Sequence, residues 1–166
     1  MEHNQTCCFT GHRTLPRGVI RYLIPRITDG VSYLLDREVR HFLLGGALGF
    51  DTVCARTLLC MKLSGYDLDI HLALPCNDQD MLWSAEDREI YREVMKFAAS
   101  VTHIEEHYNK WCMSKRNQFM IDSSAFCIAY VERARSGAGQ TLRMAQNAGL
   151  TVYNLAPDVI KASGLE

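Results

Sequence analysis

A strand that stops at glycines and restarts as a helix is the feature that most constrains the fold of this chain. Residues 40–51 read R-H-F-L-L-G-G-A-L-G-F-D, so an apolar run meets Gly45-Gly46, and Gly49 and Asp51 precede a helical pattern. Glycine permits a sharp turn and the close approach of a ligand to the backbone. A helix N-terminus presents free N–H groups that suit phosphate. The segment therefore predicts a βα turn suited to an anionic ligand.

A second junction of this kind, S-G-A-G-Q-T, spans residues 136–141. Elsewhere, short apolar runs alternate with segments in which apolar residues recur every three or four positions. Strands are predicted at residues 6–10, 41–44, 68–74, 100–104, 125–131 and 150–155, and helices at 51–64, 113–123 and 140–148 and after Ser84. The alternation predicts βαβ units, and hence one α/β domain over residues 1–166 with its core at about 6–155. Its sheet is expected to be mainly parallel, with helices on both faces.

One further helix is predicted after the first strand, where apolar residues recur from Val19 to Leu34. Pro16 is suited to open this helix, because the missing N–H costs nothing in a first turn. Pro25 and Gly30 interrupt the pattern, so we expect a kink or a break there.

The overall composition makes several classes of partner less expected. The chain has a formal net charge of −1, which argues against nucleic acid and against an anionic membrane surface. Its apolar runs are shorter than a bilayer span, and its N-terminus does not resemble a signal peptide. The seven cysteines include no C-x-x-C pair, which favours core thiols in a reducing cytoplasm. Cys76 and Cys112 have neither a neighbouring base nor zinc-ligand spacing, so we predict no cysteine nucleophile and no metal site.

Four motifs occur in an order that resembles a known family. They are T-C-C-F-T-G-H-R at 6–13, G-G-A-L-G-F-D at 45–51, C-M-S-K-R-N-Q-F-M-I-D at 112–122 and S-G-A-G-Q-T at 136–141. Together they resemble the YpsA-like branch of the SLOG superfamily, which also contains DprA and the LOG phosphoribohydrolases. The resemblance covers about residues 6–155. It implies a Rossmann-like fold with a pocket for nucleotides or nucleotide-derived molecules, is compatible with a homodimer, and implies no established reaction.

LOG enzymes cleave the N-glycosidic bond of nucleoside monophosphates, and this chain departs from their motif at two positions. The proline before the second glycine turn is absent, with Ser136 nearby instead. Met113 and Arg116 match its first part, and the second glycine turn matches its end. The glutamate expected three residues after Thr141 is replaced by Met144. Such cleavage needs a carboxylate to activate water or to stabilise the sugar cation. The resemblance therefore favours binding over LOG chemistry.

Ligands of parallel α/β sheets bind at the carboxyl ends of the strands. We expect His12 to act there as a donor or proton carrier, or else to cap and pack the strand end. Asp51 is expected to bind a ribose or to cap its helix, and Trp83 to stack on a base or, more commonly, to anchor packing. The glycines serve either ligand approach or only the turn. The predicted ligand and phosphate contacts are Gly11, His12, Arg13, Gly45, Gly46, Ala47, Gly49, Asp51, Arg116, Ser136, Gly137, Gly139, Gln140 and Thr141.

The sequence thus predicts a protein that binds or senses a nucleotide or an ADP-ribose-type small molecule, with no resident cofactor and no established catalysis. One alternative is a LOG-like N-glycosidase that takes its carboxylate from Asp51 or Asp122. Another is DprA-like binding of single-stranded DNA, against which the balanced charge argues. We further expect that Arg116→Ala weakens ligand binding with little loss of stability.

Overall fold

The computed structural model describes residues 1–164 and contains a six-stranded sheet in which every pairing is parallel. The strands are β1 (Thr6–Gly11), β2 (His41–Leu44), β3 (Asp69–Leu74), β4 (Ser100–His103), β5 (Phe126–Tyr130) and β6 (Thr151–Asn154). The helices are α1 (Ile20–Leu35), α2 (Phe50–Leu63), α3 (Ala85–Phe97), α4 (Cys112–Asp122), α5 (Gly137–Asn147) and α6 (Ala156–Ser163). This architecture confirms the predicted α/β Rossmann-like fold.

The strand order is β4-β3-β2-β1-β5-β6, so the chain reverses its direction of travel across the sheet between β1 and β5. From β1 the strands add outward on one side as far as β4, and the chain then returns to place β5 on the other side of β1. Gly11 at the end of β1 is in register with Tyr130 at the end of β5. A crevice at such a switch point is where open α/β sheets bind ligands.

Alternation along the strands divides the core between the two faces of the sheet. Phe42 and Leu44 pack with apolar residues of α1, α2, α3 and α6, whereas Leu43 packs with those of α4 and α5. Successive side chains of a strand point to opposite faces, which is why neighbours in β2 enter different cores. The helices therefore cover both faces, as predicted.

The first predicted helix differs from the structure in its start and its continuity. α1 begins at Ile20 rather than at Pro16, and it runs without a break through both Pro25 and Gly30. Pro25 lies on the exposed side, where water can satisfy the carbonyl that loses its partner. Gly30 lets the helix approach β5, because a Cβ there would lie 3.3 Å from the Cδ1 atom of Ile128. The predicted break was wrong because the buried face of the helix outweighs both residues.

The helix at Ala156–Ser163 was missed, although its ends carry recognisable signals. Pro157 lies in its first turn, where proline is favoured. Gly164 follows it in the left-handed conformation typical of a helix C-terminus. No helix within residues 1–164 is both long and apolar enough to cross a membrane.

Candidate functional site

A cavity of about 440 Å³ opens at the carboxyl ends of β1 and β2, and residues of α4 and of the first turns of α5 complete its wall. This volume is within the usual range for small-molecule sites. Most of the predicted contacts line it: Gly11, His12, Arg13, Gly45, Ala47, Asp51, Arg116, Ser136, Gly137, Gln140 and Thr141. Strand pairing thus brings together segments more than a hundred residues apart in the sequence.

Three of the predicted contacts, Gly46, Gly49 and Gly139, are not among the residues that line this cavity. At Gly49 the backbone has φ of +77°, and a Cβ would clash with the carbonyl oxygen of Arg13. At Gly139 a Cβ would clash with the carbonyl oxygen of Ala134. These glycines are required by the turns themselves, and their positions explain their presence without a ligand.

Arg116 is the central charged group of the site and is only 7% exposed. Its Nη1 donates to the carbonyl oxygen of Gly45, and its Nε donates to the Oδ1 of Asn117 at 2.8 Å. A Cβ at Gly45 would clash with this guanidinium, so the glycine gives Arg116 its space. Burial lowers the pKa of Arg116, and the nearby Asp51 carboxylate opposes that shift. The group keeps its charge, because arginine starts from a pKa above 12.

Asp51 holds the first glycine turn in shape. Its carboxylate accepts hydrogen bonds from the backbone N–H of Gly45 at 3.3 Å and of Ala47 at 2.8 Å. It lies inside α2, whose N-cap is Gly49, so the predicted capping role was wrong. Burial raises the pKa of Asp51, whereas Arg116 and the turn amides lower it. The net effect is a raised pKa, and the two amide donors and the nearby cation, which favour the ionised carboxylate, oppose the effect of burial.

A chain of hydrogen bonds continues from Arg116 to the second glycine turn. Asn117 donates from Nδ2 to the Thr141 hydroxyl at 2.9 Å, and that hydroxyl donates to the carbonyl oxygen of Gly137 at 3.1 Å. Ser136 caps α5, since its Oγ accepts from the N–H of Gly139 at 3.0 Å. Thr141 and Ser136 therefore already have protein partners, and they position the N-terminus of α5 at the cavity.

His12 joins the end of β1 to the segment after β5. Its Nε2 accepts from the backbone N–H of Glu132 at 3.0 Å, which places the ring proton on Nδ1. Burial, followed by the charge of Arg133, lowers the pKa of His12. The lowered pKa favours the neutral ring, and the bond to Glu132 is a contact of the kind that the capping alternative describes.

The cavity wall carries more positive than negative charge. Arg13, Lys110 and Arg116 line it, and Asp51 is the one acidic side chain among the lining residues. Arg13 is exposed, and within residues 1–164 the one hydrogen bond of its guanidinium is to the sulfur of Met113, at 3.5 Å. In a cavity enclosed by protein, such an excess of cations attracts an anion more strongly than in bulk water.

Sequence reasoning missed part of one helix face. In α4, the adjacent residues Arg116 and Asn117 lie three or four positions from both Met113 and Met120, and all four line the cavity. That spacing was the available signal, but only Arg116 was taken from it. Other lining residues that were missed are Phe9, Thr10, Lys110, Ser114 and Ala138, and Met144, noted only as a replaced glutamate, also lies in the wall.

The remaining candidates lie outside the cavity. Trp83 packs edge-on against Tyr91, with ring centroids 5.4 Å apart, as a packing anchor does. Cys76 and Cys112 are both buried, and burial raises the pKa of Cys76 to about 11, which makes it a poor nucleophile. Asp122 is exposed and accepts from the side chain of Gln118.

A mainly apolar groove of about 760 Å³ lies between α1, α2 and the start of α3. Of the predicted contacts, only Gly49 lines it. Its charged lining residues are Arg56, Glu86 and Asp87, so it lacks the excess of cations found in the smaller cavity. The cavity at the switch point is therefore the better candidate site.

Residues 8–156 match the model of the YspA SLOG family. The chain is similar to the uncharacterized SPbeta prophage-derived protein YoqJ of Bacillus subtilis (strain 168), with 27% identity over 143 residues that cover 77% of this chain and 84% of YoqJ. It is also similar to the UPF0398 protein YpsA of the same organism, with 21% identity over 169 residues that cover 93% of each chain. The match confirms the resemblance inferred from the four motifs.

Two solved structures share the fold. DNA processing protein A (DprA) from Streptococcus pneumoniae aligns with a TM-score of 0.66 and 16% identity, over 92% of this chain and 50% of that one. DprA from Helicobacter pylori, whose structure concerns its single-stranded DNA binding mode, aligns with a TM-score of 0.64 and 16% identity, over 96% and 72%. This chain thus spans about half of the pneumococcal protein. The likeness gives no support to the prediction, made from net charge, that nucleic acid is an unlikely partner.

Proposed function

The chain belongs to the YspA SLOG family, and we propose that it binds a nucleotide or an ADP-ribose-type small molecule in the cavity at the switch point. The observation that carries this proposal is the convergence of Arg13, Lys110 and Arg116 on a cavity that contains one carboxylate. A phosphate-bearing ligand matches that charge, and the fold class binds its ligands at this position.

The N-terminus of α5 is the proposed phosphate position. Gly137 and Ala138 line the cavity at the first turn of this helix. No hydrogen bond of their N–H groups is found among residues 1–164, whereas the N–H of Gly139 is taken by Ser136. Free N–H groups and the positive end of the helix dipole favour a phosphate oxygen there. Arg13, whose guanidinium has no oxygen partner within the described chain, is placed to bind a second oxygen.

Binding without hydrolysis is favoured by what the cavity wall lacks. Met144 lies in the wall where a LOG enzyme is expected to carry its glutamate. Asp122 is not among the residues that line the cavity, and Asp51 is held by the amides of the glycine turn. An N-glycosidase would therefore have to use Asp51, whose oxygens would have to release those amides to activate water.

The test is calorimetric titration with AMP, ADP, ADP-ribose and NAD, followed by analysis of each mixture for free base. Arg13→Gln is the variant to compare, because replacing the Arg13 side chain removes a cation without breaking a hydrogen bond to oxygen or nitrogen. Arg17→Gln is the matched control, since Arg17 is exposed and does not line the cavity. We expect saturable binding that weakens about tenfold or more in Arg13→Gln and is unchanged in Arg17→Gln, because a charge-assisted hydrogen bond contributes about 1.5–3 kcal/mol.

Two results would contradict the proposal. Equal affinity in both arginine variants would show that the ligand does not bind in this cavity. No binding of any nucleotide would show that nucleotides are not the ligand class. Base release that is lost in Asp51→Asn, with binding retained, would instead establish the N-glycosidase alternative.

A second candidate, binding of a single-stranded nucleic acid end, is favoured by one surface observation. Tyr108 and Trp111 are 65% and 59% exposed, and they flank Lys110 of the cavity wall. Exposed aromatic rings beside a cation are the usual elements of single-strand binding. Fluorescence anisotropy with a labelled oligothymidylate tests this, since a real site predicts a steep salt dependence and loss of binding in Trp111→Ala. Flat, weak binding at low salt would exclude it.

The burial and free state of the cysteines indicate the cellular compartment of the protein. Six of the seven are buried, and all seven are free thiols. We place the protein in the reducing cytoplasm on this basis.

A further inference from the structure

Three metal-ligating side chains meet at the end of the sheet opposite the cavity. His41 is the first residue of β2, and Asp69 and His71 lie at the start of β3. The register pairs His41 with Asp69, and His71 lies two residues further along the same strand. Because residues i and i+2 of a strand share a face, all three side chains project from one side of the sheet.

The three ligand atoms are close enough to share one ion. The Nδ1 of His41 lies 3.1 Å from the Nε2 of His71 and 3.9 Å from the Oδ2 of Asp69. One ligand atom from each residue lies within 4.8 Å of the other two. Two imidazole nitrogens bound to zinc at about 2.0–2.1 Å in a tetrahedral arrangement are roughly 3.3 Å apart. The distance between these two ring nitrogens therefore allows both to bind one ion with little movement of the side chains.

Outer contacts orient these ligands. The Nδ1 of His71 is 2.7 Å from the Oγ of Ser100, which fixes the ring and leaves Nε2 directed at His41. Lys62 holds Oδ1 of Asp69 at 3.4 Å, which leaves Oδ2 directed at His41. Histidines that bind metals usually have such a partner on the other ring nitrogen. His71 is 6% exposed, while Asp69 is partly exposed, so solvent reaches the group from one side.

We propose that His41, Asp69 and His71 form a binding site for a first-row divalent transition-metal ion such as Zn²⁺. Two imidazoles and one carboxylate are a ligand set suited to such ions, with water in the remaining position. The ion would join β2 to β3 at their amino ends. Since the cavity lies at the carboxyl ends, the site would stabilise the fold and leave nucleotide affinity unchanged.

The alternative is a hydrogen bond between two imidazoles with no metal role, and the test must separate the two. The chain is treated with EDTA and titrated with ZnCl₂ at pH 7.5, by calorimetry and by thermal unfolding. We expect one ion per chain and, at 100 times the dissociation constant, a rise in Tm of roughly 5–10 °C. Ser100→Ala should weaken binding about 10–100-fold, as loss of an outer-shell partner usually does.

Matched variants decide the outcome. His41→Ala and Asp69→Asn should abolish the stoichiometric binding, while His107→Ala, which removes a largely exposed histidine, should not. Cys60→Ser controls for the one exposed thiol. Co²⁺ should give a visible spectrum without a thiolate charge-transfer band, because the proposed ligands are nitrogen and oxygen. Absence of saturable binding, binding that survives both His41→Ala and Asp69→Asn, or a thiolate band that disappears in Cys60→Ser would each overturn the proposal.

Discussion

Replacement of Gly45 by alanine tests whether the absence of a side chain at this position makes room for the Arg116 guanidinium. Gly45 does not have positive φ, so alanine can adopt its backbone conformation. The added Cβ, however, would occupy the space of the Arg116 guanidinium. We therefore expect the change to displace Arg116 from the carbonyl of Gly45 while the arginine itself remains.

The expected cost follows from the bond that is lost. A hydrogen bond from a charged group contributes about 1.5–3 kcal/mol, and displacement also disturbs the bond from Arg116 to Asn117. For a domain of 150–250 residues, 1 kcal/mol lowers Tm by about 2–4 °C. Gly45→Ala should therefore lower the free energy of unfolding by about 1.5–3 kcal/mol and Tm by roughly 3–12 °C.

Urea unfolding followed by circular dichroism measures this, with Gly137→Ala as the control. Gly137 also lines the cavity and begins a helix, but a Cβ there meets no protein atom within 4 Å. Alanine at that position should leave stability unchanged or raise it by about 0.4–1 kcal/mol. Equal free energies of unfolding for Gly45→Ala and the unmodified chain would refute the argument that Gly45 makes room for Arg116.

Three further predictions concern the same end of the sheet. Gly49→Ala should lower the free energy of unfolding by about 2 kcal/mol or more in the same urea assay, because alanine would have to adopt a positive φ and its Cβ would clash with the backbone of Arg13. Wild-type stability would contradict this. Asn117→Ala should cost about 1–3 kcal/mol, since it removes the acceptor of the Arg116 Nε and the donor to the Thr141 hydroxyl, and a matching loss in Thr141→Val that is not additive would identify them as one network. The pKa of His12 is lowered in the folded state, so its contribution to the free energy of unfolding is complete above about pH 6.5 and is lost as the pH falls through the pKa of the folded state. Between pH 7.5 and 5.5, the free energy of unfolding should therefore decline less steeply in His12→Gln than in the unmodified chain.

The structure also changes the expectation for Arg116→Ala. From the sequence, this side chain was predicted to contact the ligand, and its removal was expected to cause little loss of stability. It is in fact buried and bonded to Gly45 and Asn117. Loss of these bonds and of its packing should destabilise the chain, so weakened ligand binding in that variant does not identify a ligand contact. Arg13→Gln is the better test because Arg13 is exposed.

Much of the fold could be predicted from the sequence, since it depends on local periodicity. All six strands and the helices from Phe50 to Asn147 follow from apolar spacing and from glycine or serine at their ends. The continuity of α1 could not be predicted, because it depends on the burial of its apolar face against the sheet. Local signals at Pro25 and Gly30 argue for a break, and tertiary packing overrides them.

The candidate site was predictable as a location and less so as a set of contacts. The rule that ligands bind at strand carboxyl ends brings the glycine turns together without any structure. It does not distinguish Gly45, which faces Arg116, from Gly49, which faces a backbone carbonyl. His41 and His71 are thirty residues apart and meet only through the register of β2 with β3, so no spacing motif reveals them.

Much of the cavity's polar chemistry is used to build the cavity. Asp51, Asn117, Ser136 and Thr141 have their hydrogen bonds within the protein. The side chains of Arg13, Lys110 and Gln140 line the cavity without a hydrogen bond to nitrogen or oxygen among the described residues. Binding that requires breaking the inner network would cost about 1–3 kcal/mol for each group left unpaired. Selectivity among nucleotides should therefore change when these three outer side chains are replaced, whereas changes to the inner four should alter stability first.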